Sequence, residues 1–117
     1  MEIRSVNPET LASLKEYADP EEPDFLRDIL GTYLADSETR LVATWEAYRA
    51  ADVETFKRLL HTLKGSSLNV GAEAFSALLQ TLEQEARQGE LPEEEGLRAI
   101  EAEFSRVKQE LSAYLEG

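Results

Sequence analysis

From Leu11 to Leu115 the apolar residues recur three and four positions apart, and no stretch of strict alternation competes with them. That spacing matches the helical turn, so each segment can gather its apolar residues on one face only as an α-helix. Asn7-Pro8 starts the first segment, with Asn7 as N-cap and proline in the first helical position, where its missing N–H is no loss. Leu11, Leu14 and Tyr17 form its apolar face, and Asp19-Pro20 ends it. Glu21-Glu22-Pro23 opens a long segment striped by Phe25, Leu26, Ile29, Leu30, Tyr33, Leu34, Leu41, Trp45 and Tyr48. Asp36-Ser37 interrupts this stripe, which reads either as two helices or as one with a bend. Asp52 is placed to cap a third segment with Phe56, Leu59, Leu60 and Leu63 inward. Asn69-Val70-Gly71 stops it, with Gly71 suited to the left-handed position after a helix. Phe75, Leu78, Leu79, Leu82 and Ala86 stripe a fourth segment that closes at Gly89. Glu93, Glu94 and Glu95 suit the positive end of a last helix, striped by Leu97, Ile100, Phe104, Val107, Leu111, Tyr114 and Leu115.

Each stripe covers one face, so the helices must pair those faces, and short connections favour antiparallel neighbours. The expected fold is all-α: an antiparallel four-helix bundle over about 23–115, with an additional short N-terminal helix over about 8–18. The 117 residues read as one domain, long enough for a core without cross-links. Cysteine is absent, which excludes disulfides, thiolate metal sites and cysteine nucleophiles. No apolar run is long enough for a membrane span, and the N-terminus lacks the pattern of a signal peptide. A cytoplasmic location is therefore the expectation. The net charge of −12 argues against nucleic acid and against an anionic membrane as partners.

The single histidine lies off the core stripe. On a helix, the neighbours of His61 are Lys57, Arg58, Lys64 and Gly65, with Leu68 further along, whereas the inward set is Phe56, Leu59, Leu60 and Leu63. Between Asp52 and Val70, three cations against two acids give a net +1, so the rest of the chain carries −13. Basic residues around an imidazole suit an anionic group on it, phosphate above all. Gly65 is a second anomaly, because glycine inside a helix costs about 0.8–1 kcal/mol relative to alanine. It either clears the surface beside His61 for another protein or, together with Ser66 and Ser67, lets two helices of the bundle pack closely.

The run His61-Thr62-Leu63-Lys64-Gly65-Ser66-Ser67-Leu68-Asn69-Val70-Gly71-Ala72 resembles the signature of histidine phosphotransfer (HPt) domains: His-x-Leu-Lys-Gly-Ser-Ser, a short gap, then Gly-Ala. Leu82-Glu83 falls where that family has its second motif, and Ala51-Asp52 and Gly89-Glu90 resemble its small-acidic turns. The resemblance extends from about Pro23 to Leu115. It implies a phosphorelay intermediate, in which His61 takes a phosphoryl group from a receiver-domain aspartate and passes it to another receiver. Lys64 would stabilise the phosphoryl oxygens, and Glu83 would accept a hydrogen bond from the other ring nitrogen, with Gln80 one turn earlier as the competing orienter. Lys57, Arg58, Gly65 and Leu68 would belong to the docking surface, while Ser66, Ser67 and Gly71 would be structural.

The partners implied are response-regulator receiver domains, a hybrid histidine kinase, or both, met by a monomer. No intrinsic cofactor or metal site is expected, and any Mg²⁺ would be supplied by the receiver. The chain has neither a nucleotide-binding loop of the GxxxxGK type nor a catalytic triad, so it reads as a carrier without kinase activity of its own. Two alternatives stand beside this reading. One is a non-catalytic module that inhibits a histidine kinase, which would be expected to lose residues such as His61, Lys64 or Gly65. The other is a carrier domain cut from a larger hybrid kinase, against which Met1 weighs mildly.

Overall fold

The computed structural model describes residues 5–16 and 24–116. They form five helices: α1 (Pro8–Glu16), α2 (Phe25–Arg49), α3 (Val53–Asn69), α4 (Glu73–Arg87) and α5 (Glu94–Glu116). The described residues contain no strand, and none of their helices is long and apolar enough to cross a membrane. α3 packs against α2 and α4, and α5 closes the ring against α4 and α2, so the four long helices form the expected bundle. Tyr17, the Asp19-Pro20 stop and the Glu21-Glu22-Pro23 start lie outside the described residues.

The bundle interior is filled from all four helices by Leu30, Phe56, Leu60, Leu63, Phe75, Leu79, Leu97, Ile100, Val107 and Leu111, all essentially inaccessible. Phe104 of α5 lies between Tyr33 of α2 and Phe75 of α4, with ring centroids 6.4 and 5.5 Å away. Asp36-Ser37 does not divide α2. The inward positions run Leu30, Tyr33, Ser37, Leu41, Thr44 and Ala47, so a buried serine and threonine continue the helical spacing where apolar residues are missing. Thr44 satisfies its hydroxyl on its own helix, donating to the Arg40 carbonyl at 2.7 Å. A stripe counted only in apolar residues therefore shows a gap that the packing does not have.

Helix ends follow local chemistry closely. Asp52 caps α3 by accepting from the Thr55 N–H at 3.1 Å, and the Thr55 hydroxyl first, then this backbone bond, lower its carboxyl pKa. At the other end Gly71 adopts φ +81°, its N–H donates to the Leu68 carbonyl, and the Ala72 N–H donates to Ser67. This pair of bonds is the Schellman arrangement. A side chain at Gly71 would also collide with Thr10, whose Cβ would lie 2.8 Å from the new atom.

The same arrangement closes α2, where Asp52 N–H donates to Ala47 and Ala51 N–H to Tyr48. Here the left-handed residue is Ala51, at φ 57°. An L-residue pays about 1–2 kcal/mol for that conformation, partly offset by the greater freedom of an unfolded glycine. Ala51→Gly is therefore expected to stabilise the protein by about 0.5–1 kcal/mol. Thermal unfolding should show a melting temperature about 2–5 °C higher, and a fall would contradict the strain.

Asn7 behaves as a cap, accepting from the Glu9 N–H at 2.9 Å, and it also anchors the N-terminal segment to the bundle. Its own N–H donates to Gly71 O at 2.8 Å, and its amide donates to Glu73 at 2.7 Å. The Ser5 and Val6 N–H groups both donate to the Glu110 carboxylate of α5, at 2.7 and 3.0 Å. With Val6 and Leu11 buried, this segment covers the α3–α4 turn and ties it to α5.

Candidate functional site

α3 turns one face inward through Phe56, Leu60, Leu63 and Ser67. That phase leaves the His61 side chain 64% exposed on an open helix face. Directly across on α4, Glu83 is buried, with only 3% of its side chain exposed, between Leu82 and Ala86 at the edge of the core. The two meet at 3.1 Å between His61 Nδ1 and Glu83 Oε2. A carboxylate can only accept, so Nδ1 carries the proton and donates it. In the neutral imidazole the lone pair is then on Nε2, on the ring edge turned away from Glu83.

Glu83 has two further partners. The Lys64 ammonium stands 2.9 Å from Oε1. This is an ion-pair contact without hydrogen-bond alignment, since Oε1 has no aligned donor. Arg87 Nη2 donates to Oε2 at 2.7 Å from one turn further along α4. Burial pushes the Glu83 carboxyl up, but Lys64, His61 and Arg87 outweigh it and hold its pKa below the ordinary glutamate value of 4.5. A carboxyl lowered in this way stabilises the fold above that ordinary value, and its contribution disappears as the pH falls through the lower folded value. The stability deficit of Glu83→Gln should therefore shrink as the pH is lowered from about 5 to 3. Urea melts of both proteins across that range would test this, and a constant deficit would refute the ion-pair account.

The site is thus a solvent-facing imidazole, ordered from beneath by a buried carboxylate and flanked by cations. The Hpt domain family model matches residues 28–116. The chain belongs to the Hpt domain family. The crystal structure of histidine-containing phosphotransfer protein B (HptB) from Pseudomonas aeruginosa PAO1 is similar to it, with a TM-score of 0.82 and 32% identity. That similarity covers 97% of this chain and 99% of HptB. No curated protein matches the chain.

The Hpt domain resolves several choices that the sequence left open. Between the two candidate orienters, the imidazole bonds Glu83, while Gln80 is exposed. Nothing lies within 4 Å of where a Cβ would stand on Gly65, so packing inside the bundle does not require this glycine. Ser67 does more than make room: its hydroxyl is fully buried and pairs with Tyr33 Oη at 2.7 Å, fastening α3 to α2. Burial raises the Tyr33 pKa, with the Ser67 bond opposing it, so the phenol serves as a structural donor or acceptor. Ser66 is half-buried and donates to its own helix at Leu63 O.

The expected docking residues divide. Leu68 is 53% exposed and lies two turns along α3 from His61, an apolar contact available to a partner. Arg58 is exposed, whereas Lys57 is half-buried and engaged with Glu54 at 3.2 Å. Lys64, one turn from the imidazole, rests on Glu83 at 2.9 Å. Arg87 was not among the expected site residues. Its signal was available as the i,i+4 spacing of Glu83 and Arg87 on one helix, a pattern common enough on surfaces to pass unnoticed.

Proposed function

We propose that His61 is the phosphoacceptor of this Hpt domain, a phosphorelay intermediate, and that it exchanges a phosphoryl group with receiver-domain aspartates. The observation that supports this most directly is the bond from Nδ1 to a buried carboxylate, which in the neutral ring selects the tautomer with the Nε2 lone pair outward. In the forward step the Nε2 lone pair attacks phosphorus, and the N–P bond forms as the P–O bond to the receiver's aspartate breaks. The aspartate leaves as a carboxylate with the electron pair. Positive charge that develops on the ring is held at Nδ1–H by Glu83. Attack by a second receiver's carboxylate on the same phosphorus reverses the exchange and regenerates the imidazole.

The chain supplies the nucleophile and its orientation, and the partner supplies the rest of the reaction centre. Among the described residues no three His, Asp or Glu side chains converge on a possible metal site. A receiver's carboxylates would hold any Mg²⁺ ion, which would neutralise phosphoryl charge. The cationic stretch of α3 matches an acidic receiver surface, and the acidic remainder of the chain repels such a surface elsewhere. We place this carrier in the cytoplasm, as a monomer without nucleotide-dependent kinase activity, working with receivers, a hybrid kinase or both. The retained His61, Lys64 and Gly65 favour transfer over a purely inhibitory module.

The test is to mix the chain with receiver domains bearing labelled phosphoaspartate. Label should move to this chain as an acid-labile, base-stable adduct with the ³¹P signature of Nε2-phosphohistidine. Label on a serine, or none from any receiver of the same genome, would overturn the assignment.

A further inference from the structure

Glu83 has one imidazole and two cations around it, and the two cations are held differently. Arg87 Nη2 makes an aligned hydrogen bond of 2.7 Å to Oε2, the oxygen that also accepts from His61 Nδ1. Lys64 Nζ stands 2.9 Å from Oε1 but out of alignment, while its side chain is the less exposed of the two, 21% against 60% for Arg87. What distinguishes the lysine contact is that it is unaligned and on Oε1, so releasing it leaves both bonds on Oε2 intact. A phosphoryl group on Nε2 would lie across the imidazole from Glu83, because Nδ1 is the ring atom turned towards that carboxylate. An ammonium that follows the phosphoryl oxygens must leave Oε1. Removing one cation from a buried carboxylate is strongly unfavourable unless another remains.

Resting on the reading of His61 as the phosphoacceptor, we propose that Arg87 is a positioning residue that holds Glu83 charge-compensated while Lys64 swings from Glu83 to the phosphoryl oxygens. The arginine acts through Glu83 and Lys64. Its role is to make the lysine available at the moment negative charge arrives on the imidazole. At rest both cations keep the buried carboxylate in place; after phosphorylation Arg87 holds it together with the Nδ1 proton. Arg87 is also the last residue of α4, where a cation favours the helix dipole, so the test must separate positioning from simple helix stabilisation.

The full chain is phosphorylated with phosphoramidate, whose P–N bond breaks and releases ammonia as the Nε2–P bond forms. Phosphohistidine decay at neutral pH is then followed by ³¹P NMR. Lys64→Ala and Arg87→Ala should each shorten the half-life by about five- to tenfold, and the double variant should be no worse than either alone. Arg87→Lys should restore most of the lifetime, which loss through misfolding would not allow. In the unaltered protein the Lys64 ¹⁵Nζ signal should shift on phosphorylation, and in Arg87→Ala it should stay. A normal half-life in Arg87→Ala overturns the proposal. So do losses that multiply in the double variant, which would mean that Arg87 meets the phosphoryl group directly. If the unaltered protein forms no phosphohistidine at all, the His61 reading falls and takes this inference with it.

Discussion

His61→Gln should leave a folded bundle that takes up no phosphoryl group from a phosphorylated receiver. Glutamine has no nitrogen lone pair able to attack phosphorus, and this chain has no second histidine to substitute. Transfer should fall at least about 10³-fold, to the background of the assay, as when any covalent nucleophile is removed. Stability should change little. The imidazole is largely exposed, and Glu83 keeps Lys64 and Arg87 when its bond to His61 is lost. A change within about 1 kcal/mol, or about 4 °C in melting temperature, is expected. Circular dichroism and label transfer measured on the same sample separate the two effects. An acid-labile phosphoryl group retained by this variant would refute the assignment.

Gly65→Leu should move stability and function in opposite directions. The glycine sits inside α3, where leucine favours the helix by about 0.6–0.9 kcal/mol, and no atom lies within 4 Å of the added Cβ. The variant should therefore melt about 2–4 °C higher than the unaltered protein. Gly65 also lies one turn from His61 on the exposed face, so the new side chain stands where a receiver must approach to bring its phosphoaspartate to Nε2. A misfit at the centre of such an interface typically costs about 2–4 kcal/mol, which corresponds to about 30- to 1000-fold in transfer at subsaturating receiver. Gly65→Ala should give the same stabilisation with a smaller loss of transfer. A faster or unchanged rate in Gly65→Leu would show that the receiver docks elsewhere.

Much of the fold was legible because helices and their ends are local events. Asn7, Asp52 and Gly71 act at the positions their chemistry suggested. At Asp36-Ser37 the apolar spacing left open two helices or one, and α2 is a single helix for a physical reason. Ser37 and Thr44 both face inward: Thr44 satisfies its hydroxyl on its own helix, and Ser37 is buried although its Oγ has no aligned partner, so polarity alone did not mark either as outward. The site was legible in part. His61 and Lys64 lie within one turn of each other, and Glu83 came from resemblance to a family motif. Arg87, and the Lys64 contact with Glu83, depend on how α3 and α4 lie against each other.

By itself, the sequence determined five helical segments, a bundle, one histidine on the one net-cationic segment of the five and the family to which the chain belongs. Those properties repeat at intervals of three and four residues or sit in one contiguous motif, so local spacing encodes them. Only the tertiary structure decided that the N-terminal segment covers the α3–α4 turn and that Gly65 faces open space. It also decided that a buried Glu83 gathers His61, Lys64 and Arg87 around one carboxylate. Burial and the pairing of charges between helices depend on which faces meet, and no periodicity along a single helix specifies that.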